Sequence, residues 1–99
     1  MYQNINSLEL IDVMKDEDIN LIDIRDSYIY SSGTIKNAKN IPLNYLITNP
    51  ENFINKDDTY YIFCDYGSRS PSICDYLTRK GFHVINIVDG YYGYKDSIN

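Results

Sequence analysis

Three short runs constrain the chain most: Leu21-Ile22-Asp23-Ile24-Arg25, Tyr60-Tyr61-Ile62-Phe63-Cys64 and Val84-Ile85-Asn86-Ile87-Val88. Each is rich in β-branched or aromatic residues, and all three are expected as strands buried on both faces. Such strands belong to parallel sheets, whose faces are covered by helices. The intervening segments have helical character. Ser7 to Met14 sets Leu8, Ile11 and Met14 on one face, and Ser70 to Lys80 carries Ile73, Cys74 and Leu77 at helical spacing, with Gly81 placed to stop it. Strand alternating with helix predicts an α/β layer fold in which right-handed crossovers put helices on both faces of the sheet.

The centre, residues 33–58, is less regular. Asn40-Ile41-Pro42 is expected as a short extended piece and Leu43 to Ile47 as one helical turn, while Asp96 to Asn99 are expected to fray. No repeat, low-complexity tract or linker divides the 99 residues, so 1–99 is expected as a single domain with one active site.

Composition narrows the function classes. A formal charge of −5 and a pI near 4.6 argue against nucleic acid as a partner, because phosphate-backbone affinity needs clustered Lys and Arg. No stretch approaches the ~20 apolar residues that span a bilayer, and Met1 to Ile11 lacks a basic region followed by an apolar run. No membrane partner is expected, and a cytoplasmic location is. Two cysteines, Cys64 and Cys74, make no disulfide framework and are expected as thiols.

The stretch Phe63-Cys64-Asp65-Tyr66-Gly67-Ser68-Arg69-Ser70-Pro71 carries the chemistry. An apolar strand ends on a cysteine, and a helix begins within a few residues, with Ser70 expected as its N-cap and Pro71 in its first turn. Gly67 can take positive φ, so the intervening backbone can curl with its N–H groups turned inward, as an anion-binding nest above Cys64. Those N–H groups, the helix N-terminus and Arg69 favour the thiolate, the nucleophilic form of cysteine. A merely packed cysteine ending a strand is the competing reading, and it requires none of the adjoining Gly, Arg, Ser and Pro.

With these residues in view, the sequence resembles the rhodanese family over nearly its whole length. Leu21-Ile22-Asp23-Ile24-Arg25-Asp26 resembles the family's early strand with its Asp-x-Arg motif, followed by a short helix from Ser27 to Ser32. The segment from Gly33 to Pro42 resembles the Gly-His-Ile and Gly-Ala-x-Asn-Ile-Pro signature. Cys64 to Ser70 resembles the Cys-x-x-Gly-x-Arg-Ser active loop, Arg79-Lys80-Gly81-Phe82 the end of the helix after it, and Asp89 to Tyr94 the closing Gly-Gly-x-x-x-Trp segment.

The resemblance implies a five-stranded, mainly parallel sheet flanked by helices. It also implies a sulfurtransferase in which Cys64 takes sulfur from a donor such as thiosulfate, a polysulfide or a protein persulfide. A thiol or a protein would accept it, and no metal or cofactor would be needed. Asp65, Tyr66, Gly67, Ser68, Arg69 and Ser70 would form the substrate-binding loop, with their N–H groups stabilising the anionic persulfide. Arg69 is expected to brace the loop against Asp23, with donor binding as its other role. Arg25 is a further supporting residue, otherwise a solvated surface charge.

The chain departs from the family pattern at four positions. Thr34 stands for a frequent His, Asn37 for a Gly, and Tyr94 for a Trp in an aromatic packing role. The fourth, Asp65, puts a carboxylate beside the nucleophile. It opposes both the thiolate and an anionic donor, which disfavours small thiosulfate relative to a neutral or protein-bound persulfide donor.

Of the remaining residues, Cys74 is expected to pack in the core, with a resolving-thiol role as its alternative. His83, the single histidine, is expected in an exposed turn, without partners for a metal site. Asp16-Glu17-Asp18 is a solvated helix-end turn. Tyr66, Tyr91 and Tyr92 are expected at the pocket mouth or in packing.

Two other functions are compatible with the loop. A phosphatase or arsenate reductase of related fold has a wider loop, whereas here only Asp65, Tyr66, Gly67 and Ser68 separate Cys64 from Arg69. A non-catalytic binding module, or one that senses redox state through Cys64, would keep the fold without turnover.

Overall fold

The computed structural model describes residues 1–98. Five parallel strands form one sheet in the order β1-β5-β4-β2-β3, where β1 is Gln3–Ile5, β2 Asn20–Asp23, β3 Lys39–Asn40, β4 Thr59–Phe63 and β5 His83–Ile87. Helices α1 (Ser7–Asp16), α2 (Ser27–Ser32), α3 (Leu43–Thr48), α4 (Ser70–Arg79) and α5 (Gly90–Ile98) connect and flank them, with a 3₁₀ turn at Pro50–Asn52. The α/β sheet of the sequence reading is therefore present, and every pairing in it is parallel.

Successive side chains of β4 and its continuation go to opposite layers, as the pleat requires. Tyr60, Ile62 and Cys64 join Ile22, Ile24, Leu46, Ile73, Leu77 and Val84 on the α3/α4 side. Phe63, with Tyr61 at its margin, joins Leu10, Leu21, Ile35 and Ile87 on the α1/α5 side. The three apolar runs are buried on both faces because the sheet has a core on each side.

Each of the three strands begins and ends one or two residues before the expected run. The ladder pairs Asn20–Asp23 with Tyr60–Phe63 and Thr59–Ile62 with His83–Asn86, so Ile24, Arg25, Cys64 and Val88 fall just beyond it. His83 is accordingly the exposed first residue of β5 and not a turn residue. The strand β1 has no apolar pattern of its own. Register with β5 defines it, pairing Gln3 with Ile85, Asn4 with Asn86 and Ile5 with Ile87.

Caps set the phase and length of the helices. Asn6 and Glu9 form a capping box at the start of α1, each side chain accepting from the other's backbone N–H at 2.9 Å. The next residue, Ser7, is buried, its N–H and hydroxyl bonded to the Asp89 carboxylate at 2.9 and 2.7 Å. Leu10 is consequently the fully buried residue of α1, with Ile11 and Met14 half-buried, whereas Leu8, expected on the inner face, is 66% exposed. The helix α4 ends in a Schellman motif: Phe82 N–H donates to the Leu77 carbonyl and Gly81 N–H to the Thr78 carbonyl, both at 3.0 Å, with Gly81 at φ +96°. At the C-terminus, Asp96, Ser97 and Ile98 are helical instead of frayed, with the Ser97 hydroxyl 2.8 Å from that of Ser7. Asn99 lies outside the described residues. None of the described helices is long and apolar enough to cross a membrane.

Candidate active site

The strand β4 delivers Cys64 to the C-terminal edge of the sheet, and α4 starts at Ser70, leaving Asp65–Arg69 as the loop between them. Gly67 sits at φ +89°, and a Cβ there would overlap the Val88 carbonyl oxygen. The start of α5 closes the other side: Tyr91 and Tyr92 N–H groups donate to the Cys64 and Asp65 carbonyls at 2.9 and 3.1 Å. Gly90, at φ +62°, permits this approach, since a Cβ on it would overlap the same two carbonyls.

The Cys64 sulfur is fully covered, and the Arg69 N–H donates to it at 3.4 Å. The Ser70 hydroxyl oxygen lies 3.6 Å away. Among the described residues, the N–H groups of Asp65, Tyr66, Gly67 and Ser68 have no protein acceptor. The helix begins one residue earlier than a Ser70 cap would place it, because Arg69 occupies the cap position. That shift frees the Ser70 hydroxyl from capping, and it donates instead to Asn86 Oδ1 at 2.6 Å.

The expected partnership of Arg69 with Asp23 is absent. Asp23 is taken by Arg25, two residues along, whose Nε and Nη2 reach the carboxylate at 3.0 to 3.1 and 2.7 Å. The turn closes on itself, with the Arg25 N–H also donating to Asp23 Oδ1 at 2.9 Å. Both residues are buried, so Arg25 is a structural ion-pair partner and not a solvated charge. Its Nη2 further donates to the Gly33 carbonyl at 2.7 Å, its Nη1 meets Asp65 Oδ1 at 3.3 Å, and the ring of Tyr91 lies 4.4 Å from the guanidinium carbon. Burial works against the charge of Arg25, but hydrogen bonds and charge from Asp23, then Asp65, outweigh it and raise its pKa above the ordinary value. Arg69 is exposed, and among the described residues its side chain has no hydrogen-bond or ion-pair partner.

The sequence departures fit this geometry. Thr34 donates to Asp23 Oδ2 at 2.8 Å, keeping a donor where the family has His. Asn37 takes φ +68°, and Tyr94 packs against the α1/α5 core. Tyr66 is 71% exposed and stacks on Tyr92, ring centroids 4.7 Å apart, at the edge of the loop. Cys74 is fully buried, and burial, then the charge of nearby Cys64, pushes its thiol up to about 12, which suits packing and not attack. No cluster of His, Cys, Asp and Glu that could hold a metal is found among the described residues. A concavity of about 550 Å³ lies at the opposite end of the sheet against Gln3, Asn20, Thr59 and His83, and shares no residue with the loop.

The sequence reading passed over Asn86, Thr34 as the donor to Asp23, and Asp89 as the anchor of Ser7. Asn86 did carry a signal: a lone amide amid Val84, Ile85 and Ile87 in a buried strand must find polar partners.

The Rhodanese-like domain family model matches residues 7–97. This chain belongs to the rhodanese-like domain family. Among proteins it resembles, the thiosulfate sulfurtransferase GlpE of Coxiella burnetii is 29% identical over 96 residues, covering 96% of this chain and 89% of that one. A tRNA uridine(34) hydroxylase of Legionella pneumophila is 34% identical over 91 residues, covering 86% of this chain but 36% of the hydroxylase. The crystal structure of a rhodanese-like domain protein from Staphylococcus aureus superposes with a TM-score of 0.83 at 30% identity, covering 93% and 90% of the two chains. Fold and family agree.

Proposed function

We propose that this rhodanese-like chain is a sulfurtransferase that carries sulfane sulfur as a persulfide on Cys64. The observation that carries the reading is the placement of the Cys64 sulfur under a loop whose Arg69 N–H already donates to it and whose four preceding N–H groups, Asp65 to Ser68, have no protein acceptor among the described residues. Such a cradle stabilises negative charge on an added sulfur without a general base. The Cys64 thiolate attacks the outer sulfur of the donor, forming an S–S bond as the donor's own bond to that sulfur breaks. Thiosulfate leaves as sulfite, and a polysulfide leaves shortened by one sulfur. A thiolate acceptor then attacks the outer persulfide sulfur, and Cys64 departs as thiolate. Neither step calls for a metal or cofactor.

The charges near the loop favour a donor that is neutral at its reacting end or is carried on a protein. Arg69 is free to meet an anionic group, but Asp65, about a third exposed, faces the same space. Arg25 compensates Asp65 only in part, because Asp23 already holds its shorter contacts. Two free thiols and a short domain fit the reducing cytoplasm, where the acceptor is a small thiol or a protein.

One observation favours a second reading. Cys64 is completely covered, so a donor reaches it only when the exposed loop gives way, and a covered cysteine also suits a binding or redox-sensing module. Thiocyanate production from cyanide with thiosulfate or polysulfide separates the two. Turnover that saturates with donor and vanishes in Cys64→Ser supports the transferase. Slow iodoacetamide labelling of Cys64 with no saturable donor reaction supports the module.

A further inference from the structure

A buried chain of polar side chains runs from the nucleophile to the surface. The Cys64 sulfur lies 3.6 Å from Ser70 Oγ, the Ser70 hydroxyl donates to Asn86 Oδ1 at 2.6 Å, and Asn86 Nδ2 donates to Asn4 Oδ1 at 3.0 Å. Ser70 is fully buried and Asn86 nearly so, whereas Asn4, its register partner on the edge strand β1, is exposed. A hydroxyl has one hydrogen to give. With that hydrogen on Asn86, Ser70 offers the sulfur only a lone pair, which suits a protonated thiol and opposes a thiolate.

We propose that Asn86 is a positioning residue, and that the Asn4–Asn86–Ser70 chain reverses its hydrogen-bond direction with the charge on the Cys64 sulfur. A half-turn of each amide exchanges its oxygen and nitrogen. Asn4 Nδ2 then donates to Asn86 Oδ1, Asn86 Nδ2 donates to Ser70 Oγ, and the Ser70 hydroxyl turns to the sulfur. The thiolate, and the persulfide sulfur bonded to it, gains a second donor beside the Arg69 N–H. No buried group loses its partner in either direction, which is what two amides in series provide and a carboxylate or an apolar residue at position 86 does not. The exposed end at Asn4 lets the reversal finish in water. This inference assumes that Cys64 reacts as a thiolate, as the transferase reading does, but it concerns the thiol itself and is read without any sulfur donor.

The test is the rate of iodoacetamide alkylation of Cys64 across pH, with Asn86→Asp made alone and together with Ser70→Ala. An aspartate accepts only, so it keeps the Ser70 hydrogen away from the sulfur. The expected result at pH 7 is about a tenfold slower rate, the scale of one hydrogen bond to a charged group, recovering as the pH rises. Ser70→Ala should slow alkylation by a similar factor, and adding Asn86→Asp to it should cost little more. A full tenfold cost of Asn86→Asp in the Ser70→Ala background would mean that the carboxylate acts through space, and would overturn the proposal. If Asn86→Asp does not fold, Asn4→Asp serves, since it holds the chain in the thiol direction from the surface. It should slow alkylation by about threefold, and the loss should persist in 0.5 M salt, where a charge acting through water is screened. No slowing, or slowing that salt abolishes, would overturn the proposal.

Discussion

Asp65 lies beside Cys64, and its only cationic partner among the described residues is an arginine already bound to another carboxylate. Arg25 reaches Asp65 at 3.3 Å but Asp23 at 2.7 Å, so the trio carries one uncompensated negative charge near the loop. Removing it should help an anionic donor most. Asp65→Asn is expected to lower the KM for thiosulfate on the order of tenfold, consistent with a Coulomb term of about 1 to 2 kcal/mol at a partly exposed site. Steady-state kinetics should show a smaller change with a protein persulfide donor, and equal gains with both would remove the charge argument. The loop that follows Cys64 was legible in the sequence because the types and spacing of Gly67, Ser70 and Pro71 carry it. The partner of Asp23 was not. Arg69 was the expected partner and Arg25 was not, because the pairing depends on the turn after β2, which folds the Arg25 side chain back onto the strand end.

The loop between β4 and α4 keeps its shape through glycines and the start of α5. Gly67 faces the Val88 carbonyl at φ +89°, and Gly90 faces the carbonyls of Cys64 and Asp65. Gly67→Ala therefore meets both backbone strain and a steric clash. It should lower stability by about 2 kcal/mol or more, read as a lower urea midpoint, with reduced sulfur loading on Cys64. An unchanged midpoint would show that the turn relaxes freely. Helices α1 and α4 were legible from periodicity and from Gly81, but the rotational phase of α1 was not. The expected face included Leu8, whereas the capping box and the Ser7–Asp89 bonds turn Leu10 inward. Those bonds join residues at opposite ends of the chain, which no local pattern reports. The strand β1 was missed for the same reason, since its pairing with β5 supplies what Gln3-Asn4-Ile5 lacks in pattern.

At the scale of the whole molecule, both faces of the sheet are covered, and Cys74 lies in the α3/α4 layer with Cys64. Its thiol is pushed up to about 12 from an ordinary 9.0, so the folded state holds this proton more tightly than the unfolded chain does. The corresponding stability is complete below pH 9 and is lost as pH rises toward 12. Unfolding free energies measured across that window should decline in the wild type and less steeply in Cys74→Val. Some slope should remain, because burial, then Glu17, also raises Tyr61. Identical slopes in the two proteins would place the alkaline sensitivity elsewhere. The α/β architecture was the most legible level of all, since three apolar runs separated by helical segments leave few other ways to bury the strands.

The central claim is that Cys64 carries sulfur, and intact mass measures it most directly. Reduced protein is incubated with polysulfide, and separately with thiosulfate, alongside Cys64→Ser. The wild type should gain the mass of one sulfur atom, more readily from polysulfide, and lose it to cyanide, while Cys64→Ser gains none. No gain with either donor, or an equal gain in Cys64→Ser, would contradict the account.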